Sequence, residues 1–298
     1  MQPTRRAFLL GRRPARTAWD ELRLRLARVA AGALQDAGPR IACLAARDPA
    51  DVRQARALCA EYGAVLALAG TALAQRIDGD GALPPVLVVD PAAMNALTRA
   101  GSGWRAQPGC LAGDLARAGL PQFAEAPPMQ TLALWLAEQG AWPTGATAAS
   151  GVRELDLLLA DGSAESLGPF GQDDVRPLRT ATVQRLVPAL FQLAGSADAA
   201  ACLAAPRWPG RYRLDALRPA EPHAVNLAQL LLGHGGALAW VEGAVLAPPP
   251  GGVPSSDALP STRPPAGDAD AASRASSARR LDLRIAECFD PAGLYGSY

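Results

Sequence analysis

The sequence predicts an α+β protein, on three observations. From residue 40 onward, short apolar runs of strand length alternate with segments whose apolar residues recur at helical spacing. Asp161-Gly162 stands between two such runs as a hairpin signal, which calls for antiparallel pairing. Near residue 247 the composition breaks: residues 247 to 278 hold seven prolines and almost no large apolar side chain. Such a stretch cannot bury enough surface to order itself, and it reads as a linker.

The elements follow in order. Trp19 to Leu34 carries Leu22, Leu24, Leu26, Val29, Ala30 and Ala33 near helical spacing, with arginines between, and predicts an amphipathic helix. Ile41–Ala45 predicts a short strand. Ala50 to Tyr62 predicts a helix with Asp48 as N-cap and Gly63 as C-cap. Val65–Leu68, Val86–Asp90 and Trp104–Gln107 are strands by length and composition. Leu111 to Ala118 and Leu132 to Glu138 are short helices. Val152 to Leu159 is a strand that returns after the hairpin at Ser166–Leu167. Residues 178 to 204 are helical in pattern. Tyr212 to Leu217 is extended or loop, Asn226 to Leu232 helical, Ala237 to Leu246 a strand, and Arg279 to Phe289 a closing helix.

Bulk composition excludes several classes. A length of 298 residues and a net charge of +1 give room for a large core and no drive toward nucleic acid. Every basic residue is arginine, so lysine chemistry, whether a P-loop or a Schiff base, is absent. The cysteines at 43, 59, 110, 202 and 288 are far apart, with no C-x-x-C pair for zinc or an iron–sulfur cluster. They suit buried thiols in a reducing cytoplasm. The opening TRRAFLLG looks like a twin-arginine signal, but its apolar core spans only Ala7 to Leu10 before further arginines. A mobile basic arm and a cytoplasmic protein are therefore expected, and no run is long enough for a membrane span.

Several pieces, in this order, resemble the FAD-linked oxidases, the family shared by vanillyl-alcohol oxidase, glycolate oxidase and the D-2-hydroxyacid dehydrogenases. LALAGTAL (66–73) is similar to that family's strand and pyrophosphate loop, and VLVVDPAAMNAL (86–97) to its next strand and turn. WRAQPGCLAGDLARAGL (104–120) and VRELDLLLADGSAESLGPFG (152–171) resemble its strand–helix and hairpin. YRLDAL (212–217), NLAQLLLGHGGALAWVEGAVLAP (226–248) and LRIAECFDPAGLY (283–295) are similar to its last motifs. The resemblance implies an FAD-binding PCMH-type fold of two αβ subdomains, about 39–97 and 98–250, within a domain of 39–250. Before it lie a basic arm and helix (1–38); after it come a linker (251–278) and a tail (279–298) that docks on the body. The family's substrate cap has no counterpart here beyond the linker, so the cap domain is missing.

By the same resemblance the cofactor is FAD, held non-covalently. Ala69, Gly70, Thr71 and Ala72 would face its pyrophosphate as a nest of backbone N–H groups. Thr131, Gly140, Gly145, Ser150, Gly151 and Val152 would line it further, and Val241 and Glu242 fall on the strand that passes it. A Thr-x-Gly-Gly loop is expected after Thr131, yet Ala133 and Leu134 stand there. His234 occupies a serine position in the Gly233–Gly236 corner, and reads as a solvent-exposed loop histidine. No metal site and no catalytic base present themselves. Two functions stay open. One is a flavoprotein oxidoreductase acting on a small 2-hydroxy acid, its pocket completed by a partner oxidoreductase subunit. The other is a non-catalytic remnant of the FAD domain that serves as a scaffold or assembly partner.

Overall fold

Two sheets carry the architecture of this computed structural model, which describes residues 16–75, 84–139, 142–171, 177–249 and 269–296. The N-terminal arm as far as residue 15, linker residues 251–268 and Gly140 lie outside the described residues.

The first subdomain opens with α1 (Ala18–Val29), β1 (Ala33–Gly38), β2 (Ile41–Ala45), α2 (Pro49–Tyr62), β3 (Val65–Leu68) and β4 (Val86–Asp90). Its sheet runs β1-β2-β4-β3, with β1 antiparallel to β2 and the other pairs parallel. α2 forms where expected: Asp48 accepts the Asp51 N–H at 3.0 Å, and Gly63 closes the helix in the left-handed region. α1 stops at Val29, short of the expected Leu34. There Ala33 and Leu34 enter β1, a strand whose largely exposed ALQDAG leaves no apolar alternation to read. The Asp51 carboxylate enforces this exit, accepting the N–H groups of Ala31, Gly32 and Arg47.

The second subdomain contains β5 (Leu97–Ala100), β6 (Gly103–Ala106), α3 (Ala112–Arg117), α4 (Leu132–Glu138), β7 (Val152–Leu158), β8 (Ala164–Leu167), α5 (Ala181–Ala194), α6 (Ala197–Leu203) and β9 (Trp240–Leu246). Its sheet runs β5-β6-β9-β7-β8, antiparallel throughout. Leu214–Leu217, expected to be extended or loop, forms a 3-10 turn, as does Leu227–Leu231, expected to be helical, under its Asn226 cap. α7 (Ala269–Phe289) begins ten residues earlier than the expected Arg279, inside the stretch read as linker.

The body has two apolar cores. One lies between the second sheet and α3, α5, α6 and α7. The other joins α1, α2 and the first sheet to Ala133 and Ala137 of α4, Leu158 of β7, Trp240 of β9, and the tail residues Leu294 and Tyr295. The two subdomains are thus packed together rather than separated by a groove. Arg53 of α2 adds a two-pronged ion pair to Glu242 of β9 at 2.8 and 2.7 Å, and Arg56 donates to the Ala160 carbonyl at 2.7 Å. Among the described residues no single helix is long and apolar enough to cross a membrane.

Candidate functional site

β3 leaves the first sheet at Leu68 and turns at Ala69-Gly70, facing α4 and the start of β9. The donor groups of Ala69 and Thr71 are spent on the backbone. The Ala69 N–H donates to the Val89 carbonyl at 3.0 Å. The Thr71 N–H and hydroxyl both reach the Leu68 carbonyl, at 3.3 and 2.7 Å. Ala72 is exposed, and its carbonyl accepts the Gln75 N–H at 3.3 Å. Gly70 has φ +88°, and a β-carbon there would lie 2.7 Å from Leu134 Cδ2. Thr131 caps α4, its hydroxyl accepting the Leu134 N–H at 3.3 Å, which holds Leu134 over the turn. A phosphate cradle needs backbone N–H groups converging on open space. Here Leu134 occupies the side of Gly70 on which a side chain would project.

Behind the turn the subdomains meet on Leu66, Leu68, Ala133, Ala239, Trp240 and Val241, with His234 and Gly236 beside them. The gap left among these side chains is about 10 Å³. That is the room of one water, whereas cofactor-sized pockets run to roughly 300–1,000 Å³.

His234 is only 2% exposed, against the expectation of a solvent-facing ring. The reason lies in its neighbours. The Gly233 and Gly235 N–H groups donate to the Leu136 and Ala137 carbonyls at the end of α4, both at 2.8 Å, and this pins the corner inward. Neither ring nitrogen of His234 has a hydrogen-bond partner, nor has Trp240 Nε1. Burial, with the Arg211 guanidinium adding repulsion, pushes the His234 pKa down to about 3, so the ring is neutral at ordinary pH.

Gly145, Ser150, Gly151 and Val152 form a separate cluster, away from the residues lining the gap. Gly145 donates its N–H to Asp215 Oδ2 at 2.8 Å, and Ser150 Oγ accepts the Val152 N–H at 3.2 Å. Gly151 has φ +70°, and a β-carbon there would lie 2.2 Å from the Ala247 carbonyl oxygen. The Val152 carbonyl accepts from Gln229 Nε2 at 3.2 Å. Beside Gly145 sits a fully buried ion pair, Arg213 to Asp215 at 2.6 Å, with Arg213 also donating to the Trp142 and Pro143 carbonyls. Sequence reading passed over this pair. Its signal was present as two opposite charges inside the otherwise apolar YRLDAL.

Of the residues expected to bind cofactor, only Val241 lines the gap. The Ala69–Ala72 turn and Thr131 stand beside it, and the other cluster is occupied with its own hydrogen bonds. FAD is the cofactor expected of this fold, and the gap behind the turn, about 10 Å³, is far smaller than a flavin as these side chains stand. No nucleophile or ionised carboxylate faces the gap, and among the described residues no group of three His, Cys, Asp or Glu could hold a metal.

No protein-family model matches this chain, and no curated protein matches it. Among solved structures it is similar to 6-hydroxy-D-nicotine oxidase from Arthrobacter nicotinovorans, at 13% identity over 78% of this chain and 40% of that one, TM-score 0.39. It is similar also to a chitooligosaccharide oxidase, at 12% identity over 77% and 42% of the two chains, TM-score 0.41. A carbohydrate oxidase from Microdochium nivale is matched at 13% identity over 76% and 43%, TM-score 0.41. The chain spans less than half the length of these structures.

Proposed function

We propose that this chain is a flavin-domain fold working as a non-catalytic assembly partner of an oxidoreductase, with its cofactor cleft closed. One observation carries the reading: Leu134 stands where a side chain at Gly70 would project, and the gap behind it, lined by Leu66, Leu68, Ala133 and Val241, is only about 10 Å³. The Ala69 N–H and the Thr71 N–H and hydroxyl are spent on backbone carbonyls, which takes them from a pyrophosphate. A scaffold keeps the fold of an FAD domain while losing its site, because fold and function are separable.

A second reading is an FAD-binding oxidoreductase of the 2-hydroxy acid type, with non-covalent FAD and a substrate pocket completed by a partner subunit. It is favoured by the order of elements, in which the strand–turn at Gly70 and the Gly233–Gly236 corner face one another across β3 and β9. Flavin would supply the redox chemistry there. Substrate and cytoplasmic location belong to this reading as proposals.

The two separate in one experiment. The purified chain is examined for visible flavin absorbance, then heated with and without excess FAD. A colourless protein with an unchanged melting temperature is expected, since a ligand that does not bind the folded state cannot stabilise it. A yellow protein, or a melting temperature that rises with FAD concentration, supports the flavoprotein instead.

A further inference from the structure

We propose that Leu294–Tyr295 is a latch that holds the cleft shut, and that releasing it opens the cleft to a ligand of FAD size. The proposal rests on reading the closed interface as a flavin-type cleft.

The tail is shaped before it docks. The Asp290 carboxylate, at the end of α7, accepts the N–H groups of Leu294 and Tyr295 at 3.0 and 2.7 Å. That turn delivers two contacts to two different subdomains. The Leu294 carbonyl accepts the Leu66 N–H at 2.8 Å, covering the outer edge of β3. The Tyr295 hydroxyl donates to the Leu158 carbonyl at 2.8 Å, at the end of β7. The Trp240 backbone N–H lies beside the same hydroxyl. Leu294 and Tyr295 are 5% and 1% exposed and belong to the core that welds the subdomains. Two of the residues they touch, Leu66 and Trp240, also line the gap.

The gap itself opposes closure. His234 Nδ1, His234 Nε2 and Trp240 Nε1 are buried there without partners. Buried polar groups in folded proteins are nearly always satisfied, and leaving three unsatisfied in one place is costly. Opening would hydrate them or give them to a ligand. The closed arrangement is therefore the balance of apolar packing and the tail's clasp against this cost. A ligand that needs the open state binds with an affinity reduced by the open fraction, so weakening the clasp must tighten its binding.

The test uses the full chain, a version ending at Asp290, and Tyr295→Phe, which removes only the hydroxyl bond. FAD is the probe. Binding is read by quenching of flavin fluorescence, and opening by the access of acrylamide to tryptophan emission, with Trp240→Phe as the control that removes the responding ring. The truncated chain and Tyr295→Phe should keep the circular dichroism of the full chain, admit more quencher, and bind FAD at least about tenfold more tightly. Folded variants whose quenching and FAD response both equal those of the full chain would overturn the latch. If truncation unfolds the protein, Tyr295→Phe decides alone by the same two readouts. Should the full chain bind FAD well, the closed-cleft reading fails, while a further gain on truncation still upholds the latch. Variants that open but ignore FAD uphold the latch and reject a flavin-type cleft.

Discussion

A charge cannot be placed on His234 without breaking something around it. The ring is buried, unpartnered and near Arg211, and its folded pKa is about 3 against 6.5 for an ordinary histidine. Below pH 6.5 the unfolded chain takes up a proton that the folded chain refuses. Stability contributed by this group is present above that value and falls as the pH drops toward 3, by up to about 1.4 kcal/mol per pH unit. Urea midpoints measured from neutral to acid should fall more steeply for the natural chain than for His234→Leu; parallel curves would show the ring is not the responsible group. Asp215 poses the opposite problem, a charge that is needed. Asp215→Ala strands the Arg213 guanidinium, fully buried, and should cost about 3–5 kcal/mol in chemical denaturation. These two residues also mark how far the sequence could be read. The glycine corner around His234 was visible, but the inward swing was not, because it depends on carbonyls of α4 almost one hundred positions earlier. The Arg213–Asp215 pair was legible as charges in an apolar setting, and only its burial required coordinates.

Element ends explain where local pattern sufficed. α2 could be placed from Asp48, Pro49 and Gly63, since each acts on its own neighbours. β1 could not, because its register comes from pairing with β2 and from Asp51 rather than from its own side chains. Asp51→Ala removes the acceptor of three N–H groups and should destabilise by about 3 kcal/mol or more, with Asp51→Asn costing less; thermal melts of both variants check this. Gly151 fixes the approach to β7. Gly151→Ala places a β-carbon 2.2 Å from the Ala247 carbonyl, in a left-handed backbone, and should cost about 3 kcal/mol or more or prevent soluble expression. A cost below about 1 kcal/mol would show that this strand end moves freely. The closure of the cleft was half legible. Leu134 in a glycine position announced it, whereas Tyr295 reaching Leu158 joins positions far apart in the chain that no local pattern connects.

At the scale of the whole molecule, the second core draws on α1, both sheets, α4 and the tail, so the first subdomain has no core of its own to keep when the second melts. Calorimetry should show a single cooperative transition, with calorimetric and van't Hoff enthalpies agreeing. Two resolved transitions would mean the interface is weaker than its packing suggests. The tail's position has a further consequence in time. β3 is made early in synthesis, yet among the described residues the Leu66 N–H on its outer edge finds its partner in Leu294, far later in the chain. While the chain is still being made, an apolar strand edge stands unpaired, a template for pairing with other chains. Chains that lack Leu294 are therefore the species that chaperones would have to hold.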